Sequence, residues 1–487
     1  MIFDSPLFLL MFLPLALLAY YAVGKKFKNS VLLIFSLIFY SFGEPIYIVL
    51  LVFSIFINYF FTDFMANSTG KKRKILAVLS IILNIGFIAF FKYAEFITAS
   101  VSDFFSMFWM DFGNFIPVAK MIAPIGISIY TLQIISYIVD VYKAKVPQQK
   151  SFINFALYIS MFPQMIVGPI VKYNEINMQL TERTHSLDDF SQGFKRFIIG
   201  LGKKLLISDS LALVADYTFS LSKTDLTMGV AWTGFICLVL KIYYFITGYS
   251  DMAIGLARMF GFKFNENFNY PFIATSVRDF WKRWNISLTS WFKEYVYIPL
   301  GGNKNPTVHP AKISKHTYIN LIIVFILCGI WHGTNWTFIV WGLYHGMFLL
   351  IERLPKIKNF MEKIPKPVKW IYTTVVVLFG WLIFSVSSVD QFTVYLKALF
   401  GQGAKISHVT AFEYFSNEHF LVLIIGLIFI FPIKAFILKV IPNKLSENKI
   451  IKIIINSLAK ITLAVILIFS IAVMNSDIIN PFVYFNI

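Results

Sequence analysis

His332 and His345 lie in a stretch that is otherwise poor in charge, with the sequence CGIWHGTNWTFIVWGLYHG. Ionisable side chains are energetically expensive inside a membrane, so a function is the working hypothesis for both residues. A neutral imidazole can accept a proton near neutral pH. In the structural alternative, His332 is a neutral ring that only forms a hydrogen bond to a neighbouring group.

The residues around His332 predict a helical hairpin. A polar turn at 333–335 follows the histidine, and basic residues flank the whole stretch at 304–315 and at Arg353. The chain is therefore expected to leave and re-enter the same side of the membrane. A helix from residue 318 to His332 is about 21 Å long, shorter than a hydrocarbon core of about 30 Å. His332 is thus expected deep within the membrane.

His345 follows His332 at a position about 220° further around an ideal helix, so the two imidazoles need not meet. We assign a supporting role to His345, and also to Asn335 and Trp336 at the end of the predicted turn. The other histidines fall in polar connectors or near the ends of predicted spans and receive no role: His185, His309, His316, His408 and His419.

Residues 275–303, TSVRDFWKRWNISLTSWFKEYVYIPLGGN, combine cations, aromatic rings and polar groups. On a continuous helix, one face would carry Trp281, Trp284, Leu288, Trp291 and Tyr295, and a second would carry Arg278, Lys282, Asn285 and Thr289. In the structural alternative, this is an interfacial helix whose cations and tryptophans lie at the lipid headgroups. That alternative does not account for the neutral Asn285 among the cations.

The composition predicts one polytopic all-α membrane bundle. Of the 487 residues, 58% are hydrophobic and only 14% are charged, which excludes a soluble globular protein. The net charge of +18 is attributed to cytoplasmic loops and not to nucleic-acid binding. Neither a disulfide nor a metal site is expected, because Cys237 and Cys328 lie apart in apolar runs. Serine-hydrolase, P-loop and zinc-protease motifs do not occur in the sequence.

We expect roughly 10–12 membrane helices, including re-entrant or interfacial ones, around an intramembrane catalytic cavity. The first residues lack the features of a cleaved signal peptide and should remain as the first helix. Residues 152–171 and 190–217 fit re-entrant or interfacial helices as well as full spans. The chain is taken as one integral-membrane domain, 1–487, with N-terminal helices at 1–150, a catalytic core at 151–352 and C-terminal helices at 353–487.

Two motifs give the chain a family resemblance, RDFWKRWNISLTSWFKEYVYIPLGGN and, further along, GIWHGTNWTFIVWGLYHG. Supporting segments are the opening MIFDSPLFLLMFLPLALLAYY, MFPQMIVGPIVKY at 161–173 and GYSDMAIGLARMFGF at 248–262. In these segments the chain resembles the membrane-bound O-acyltransferase superfamily, specifically its bacterial alginate O-acetyltransferase branch. The stretch after about residue 390 adds little to the resemblance.

The resemblance implies an enzyme that takes an acetyl group from cytoplasmic acetyl-CoA for O-acetylation of an exported cell-surface polysaccharide, alginate-like or peptidoglycan. The histidine of the family's WHG motif falls on His332, which favours the catalytic alternative. The other catalytic-motif position falls on Asn285, where the alginate branch commonly carries histidine and several other branches carry asparagine. This difference argues against a two-histidine mechanism.

The resemblance also suggests roles for the polar residues. We expect His332 to act as the general base, and Asn285 to hydrogen-bond the developing oxyanion or to orient the acyl carbonyl. The cations of the first motif could bind the phosphates of coenzyme A or, equally, anionic lipids: Arg278, Lys282, Arg283 and Lys293.

The expected partners are acetyl-CoA as acyl donor, the lipid bilayer, a surface polysaccharide and a separate extracytoplasmic SGNH-type acetyltransferase, with no nucleic acid and no permanently bound cofactor. The expected location is the bacterial inner (cytoplasmic) membrane. Two alternatives stay open. One is transfer of D-alanine from a carrier-protein thioester to teichoic acid, and the other is a transporter or flippase with an intramembrane proton site.

Overall fold

The protein is described by a computed structural model that covers residues 1–106, 123–302, 315–405, 415–433, 436 and 449–474. Within these ranges all regular secondary structure is helical, so the predicted all-α class is confirmed. The α-helices of these ranges are α1 Leu13–Ala22, α2 Lys28–Gly43, α3 Ile48–Ala66, α4 Gly70–Ile88, α5 Ala94–Ser106, α6 Ile127–Tyr142, α7 Phe152–Ser160, α8 Phe162–Met165, α9 Tyr173–Thr181, α10 Leu187–Gly202, α11 Ser210–Ser220, α12 Met228–Met259, α13 Val277–Arg283, α14 Ile286–Phe292, α15 Lys315–His332, α16 Trp336–Ile351, α17 Pro355–Lys363, α18 Lys366–Ser385, α19 Val389–Leu399, α20 Asn417–Phe429 and α21 Lys449–Met474.

Ten apolar helical segments of the described chain are suited to a membrane. Five are long and apolar enough to cross it: Ile48–Ala66, Gly70–Ser106, Met228–Met259, Lys366–Ser385 and Ile453–Met474. Five shorter ones are Phe8–Ala22, Ile127–Tyr142, Tyr318–His332, Trp336–Ile351 and Asn417–Phe429. The chain is therefore a multi-pass membrane protein, in agreement with the sequence prediction.

Several helices contain π-helical turns, which are frequent at functional sites. The turn Ala89–Tyr93 joins α4 to α5 in one continuous helix, Gly70–Ser106. Further π-helical segments are Phe8–Phe12, Lys203–Asp209 and Lys293–Tyr297, and short 3₁₀ turns lie at Lys25–Phe27 and Pro271–Ile273. The helix containing Lys92 thus continues past its π-helical turn to Ser106.

Helices α10 and α12 approach each other to backbone contact. A Cβ built on Gly193 would lie 2.7 Å from the carbonyl oxygen of Gly255, and one on Gly200 would lie 2.6 Å from that of Gly248. Small residues allow such an approach between helices. None of the described helices between 152 and 217 is among the ten apolar segments. The interfacial or re-entrant alternative for this region stays a prediction.

Candidate functional site

The hairpin of α15 and α16 places His332 at a helix end. Helix α15 ends at His332 and α16 begins at Trp336, so the predicted turn at 333–335 is confirmed. The side chain of Asn335 caps α16 by accepting the backbone N–H of Thr337 at 3.1 Å. Its amide nitrogen also donates to the carbonyl of Ser387 at 3.0 Å, which fastens the turn to the end of α18.

Glycines bring the two arms of this hairpin into backbone contact. A Cβ built on Gly329 would lie 2.3 Å from the carbonyl oxygen of Phe338, and one on Gly342 would lie 2.2 Å from that of Phe325. Any larger residue at these positions would separate the arms. The position of His332 is therefore fixed by main-chain packing as well as by the turn.

The His332 ring lies among aromatic side chains. Its ring centroid is 5.0 Å from that of Trp341 and 5.2 Å from that of Phe384, with edge-to-face geometry in both cases. The residue is half-buried. Its ring nitrogens form no hydrogen bond to any described residue. The described residues therefore include no partner for the alternative in which His332 only forms a hydrogen bond to a neighbouring group.

His345 is buried in the same aromatic cluster, on the other side of Trp341 from His332. Trp341 lies between the two imidazoles, with its ring centroid 5.0 Å from that of His332 and 5.2 Å from that of His345. Trp281 of α13 contacts His345 on another side at 5.1 Å. Trp341 is thus in contact with both histidines.

Gly380 of α18 leaves the space that His345 occupies. A Cβ built on Gly380 would lie 2.3 Å from Nε2 of His345. We expect Gly380→Ala to displace this ring and to lower stability by about 1–3 kcal/mol through overpacking. The measurement is the thermal unfolding midpoint of the detergent-solubilised protein.

Gly86→Ala is the matched control for that substitution. Gly86 also lies in a membrane helix, but its Cβ would meet nothing within 4 Å. Alanine favours a helix by about 0.5–1 kcal/mol over glycine, so this variant should be at least as stable as the wild type. Equal midpoints for the two variants would contradict the close approach of α18 to His345.

The segment from α13 to the π turn Lys293–Tyr297 begins and ends at the same end of α16. The carboxylate of Glu352 accepts the backbone N–H groups of Val277 at 2.7 Å and of Arg278 at 3.1 Å. Burial raises the pKa of Glu352, while the two N–H donors act in the opposite direction. The guanidinium of the adjacent Arg353 donates to the hydroxyl of Tyr297 at 3.4 Å.

From Glu352, α13 runs along α16 towards His332, because Trp281 contacts both His345 and Trp341. At the inner end of α13, the Trp284 ring lies 4.8 Å from Trp381 of α18. Trp381 in turn contacts Phe384, which touches His332. The inner end of α13 and the end of α15 therefore meet around one aromatic cluster.

Asn285 interrupts the helix at this point, so the expected continuous helix over 275–303 is wrong. Its backbone has φ 41° and ψ 59°, a left-handed conformation that asparagine tolerates better than most residues. The N-terminus of α14 is capped by Asn267, whose Oδ1 accepts the N–H of Ser287 at 3.1 Å. Neither motif indicates this role, because Asn267 lies outside both of them.

The side chain of Asn285 is only weakly engaged. Its Oδ1 accepts the Ser287 hydroxyl at 3.5 Å, and its amide nitrogen has no hydrogen-bond acceptor among the described residues. No direct contact joins Asn285 to His332 in the described part of the chain; they are linked through Trp284, Trp381 and Phe384. The amide therefore keeps a donor that a bound group could use.

The four cations differ in their surroundings. Arg278, Lys282 and Lys293 are exposed and have no ion pair within the described residues, whereas Arg283 contacts Asp279 at 3.1 Å. The guanidinium of Arg283 also donates to the carbonyl of Asn269 at 3.2 Å. Three of the four side chains are thus available to an anion.

Buried donors without acceptors surround the histidines. Within the described residues, the fully buried indole N–H groups with no hydrogen-bond partner are those of Trp281, Trp331, Trp341 and Trp381, and the buried Nδ1 of His345 also lacks one. Each such group costs about 1–3 kcal/mol and calls for an explanation. A cluster of them is typical of a site whose polar partners arrive with a ligand.

Trp336, for which a supporting role was predicted, lies apart from this cluster. It is exposed, and its ring centroid is 5.7 Å from that of Phe96.

Lys92 and Tyr93 are site residues that the sequence reasoning missed. Both side chains donate hydrogen bonds to the last carbonyl groups of α15, next to His332. The available signal was a lysine inside the apolar run FIAFFKYAEF. It was overlooked because one charge at the end of a predicted span looks like an ordinary boundary.

Known proteins resemble this chain over most of its length. Residues 105–389 match the membrane-bound O-acyltransferase family. The chain is 37% identical to "Probable alginate O-acetylase AlgI" of Pseudomonas aeruginosa, covering 83% of this chain and 75% of that protein. It is 33% identical to "Peptidoglycan O-acetyltransferase" of Helicobacter pylori, covering 84% and 82%. A more distant relative is "Teichoic acid D-alanyltransferase" of Bacillus subtilis, 26% identical over 55% of this chain and 70% of that protein.

Proposed function

The chain belongs to the membrane-bound O-acyltransferase family, and we propose that it moves an acetyl group from cytoplasmic acetyl-CoA for O-acetylation of an exported polysaccharide. The observation that carries this proposal is its similarity, over more than four fifths of its length, to relatives named for O-acetylation of alginate and of peptidoglycan. Membership of an acyltransferase family also speaks against the transporter alternative.

In the proposed reaction, His332 is the general base. The acceptor hydroxyl, of the sugar itself or of the separate SGNH-type transferase, is a poor nucleophile at neutral pH. Its proton must therefore leave as its oxygen attacks the thioester carbonyl carbon. The imidazole takes that proton, the new C–O bond forms, and the C–S bond breaks to release the thiolate of coenzyme A. The imidazolium then returns the proton to the thiolate. The free ring nitrogens of His332 among the described residues support this role.

Asn285 is proposed to stabilise the oxyanion that develops on the thioester carbonyl. A preorganised hydrogen-bond donor is typically worth about 2.7–4 kcal/mol in acyl transfer. Its amide nitrogen, which has no acceptor among the described residues, suits this role. The buried indole donors near His332 and His345 would similarly find acceptors in a bound thioester or hydroxyl.

The exposed cations are proposed to bind the phosphates of coenzyme A where α13 begins. Arg278 and Lys282 lie on that helix, close to the end of α16 that carries Glu352 and Arg353. Arg283, which already contacts Asp279, would contribute less. His345, Asn335 and Trp336 are proposed to support the site.

The acceptor arrives from the opposite face in this proposal. The basic residues near the start of α15 are assigned to the cytoplasm, and α15 carries the chain about 26 Å from Lys315 to His332. An acetyl group that reaches His332 is therefore near the outer face of a bacterial inner membrane. From there a separate extracytoplasmic SGNH-type transferase could pass it to the surface polysaccharide.

A donor-competition experiment tests the function. Purified protein is given carbon-14-labelled acetyl-CoA or a D-alanyl carrier-protein thioester, and the released thiol and the transferred label are measured. We expect turnover with acetyl-CoA and none with the D-alanyl donor. Turnover with the D-alanyl thioester alone would replace the proposal by the teichoic acid alternative.

A further inference from the structure

Lys92 lies against the end of α15, at the residue proposed as the general base. Its Nζ donates to the carbonyl oxygen of Trp331 at 2.8 Å and lies 3.4 Å from that of His332. The hydroxyl of the adjacent Tyr93 donates to the carbonyl of Ile330. Two consecutive residues of the π turn Ala89–Tyr93 thus hold the three last carbonyl groups of α15.

The ammonium group of Lys92 has no counter-ion in the described part of the chain. No carboxylate pairs with it there, and Glu95, one turn further on, is exposed. A half-buried cation within a membrane helix costs several kcal/mol unless it is compensated. The negative end of a helix dipole supplies part of that compensation, because unpaired carbonyl groups concentrate there.

The two helices place Lys92 and His332 at similar depth independently. Along the first helix, Lys92 is about 27 Å from Lys74 of the basic cluster at its start. Along α15, His332 is about 26 Å from Lys315. Both clusters are assigned to the cytoplasmic side, so the cation is positioned towards the outer face, where the proposed transfer takes place.

A cation held at the backbone carbonyl of His332 acts on the protonation of the imidazole as well as on the position of the helix end. It disfavours the imidazolium form, so it keeps the base neutral and ready to accept a proton. The rings that touch His332 within the described residues are Trp331, Trp341 and Phe384, which do not titrate in this range. His345 is separated from it by Trp341, which leaves Lys92 as the nearby described cation.

We propose that Lys92 is a positioning residue for acyl transfer, which fixes His332 at the end of α15 and whose charge keeps the imidazole in its neutral, proton-accepting form. This inference rests on the proposed function of His332. The π turn then has two roles. Tyr93 holds the end of α15 by a neutral hydrogen bond, whereas Lys92 holds it by a hydrogen bond and also supplies a positive charge.

Three variants of the full-length protein separate these tasks. Lys92→Gln keeps a hydrogen-bond donor and removes the charge, Lys92→Arg keeps the charge, and Tyr93→Phe removes only a neutral anchor. The readout is the pH dependence of kcat/KM for coenzyme A release from acetyl-CoA. The pH at which its acidic limb lies does not depend on how much of each variant folds.

For Lys92→Gln we expect the acidic limb of the pH profile to move up by about one pH unit, with about a tenfold loss of kcat/KM on that limb and recovery at high pH. Lys92→Arg should keep the wild-type limb. Tyr93→Phe should lose rate at every pH without moving the limb.

Two results would overturn the inference. One is a Lys92→Gln variant whose acidic limb lies at the same pH as that of the wild type. The other is a Lys92→Arg variant whose acidic limb moves as far as that of Lys92→Gln. In either case the charge has no influence on the base. If instead a folded His332→Ala variant turns over acetyl-CoA like the wild type, the proposed function of His332 fails, whatever the Lys92 variants do.

Discussion

His332→Ala is expected to lower the release of coenzyme A from acetyl-CoA by about 10²–10⁴-fold, because general-base catalysis typically contributes that factor. His332→Gln should be equally impaired, since an amide keeps a polar side chain but cannot accept the hydroxyl proton. Turnover is measured with labelled acetyl-CoA, and folding is checked by gel filtration and by the thermal unfolding midpoint.

Thr334→Ala is the matched control for the His332 variants. Thr334 lies in the same turn, is exposed, and its side chain has no hydrogen bond among the described residues. We expect wild-type turnover from this variant. A folded His332→Gln protein with the same turnover as Thr334→Ala would eliminate His332 as the base.

Asn285→Ala is expected to lower kcat by about 10²–10³-fold, the usual effect of losing one oxyanion donor. The pH optimum should stay in place, because an amide has no proton equilibrium in this range. Initial rates are measured as a function of acetyl-CoA concentration and of pH. A shifted optimum would mean that the role of Asn285 has been assigned wrongly.

Asn285→Gly distinguishes the role of the side-chain amide from the role of the left-handed backbone at this position. Residue 285 has a φ of 41°, which glycine adopts easily and alanine does not. Asn285→Gly should therefore be more stable than Asn285→Ala but lose as much kcat. If the glycine variant keeps nearly full activity, the importance of this position lies in its left-handed backbone and not in the amide.

The hairpin that carries His332 was predictable because its signals are local. The polar turn at 333–335, the apolar runs on both sides and the basic residues beyond them are all consecutive in the chain, and each favours the same antiparallel pair of helices. The all-α membrane class follows in the same way from hydropathy over stretches of about 20 residues. The structure confirms both.

The break at Asn285 marks the limit of helical periodicity. The apolar residues expected on one face, Trp281, Trp284, Leu288, Trp291 and Tyr295, are indeed all buried. They are buried in two short helices, however, and the left-handed residue between them turns the chain. Trp284, before the turn, contacts Trp381 of α18, whereas Trp291 of α14 donates to the carbonyl of Leu132 in α6. A helical wheel cannot detect this, because the contacts that stabilise the break come from Asn267 and from Trp381.

The sequence by itself determined which residues can do acyl-transfer chemistry and that they lie in a helical membrane protein, because residue type and short-range periodicity carry that information. The tertiary structure alone decided what surrounds them. Lys92 reaches Trp331 across 239 positions of the chain, and Gly380 makes room for His345 from another helix. Such contacts depend on how distant helices pack, and no local pattern of residues encodes that packing.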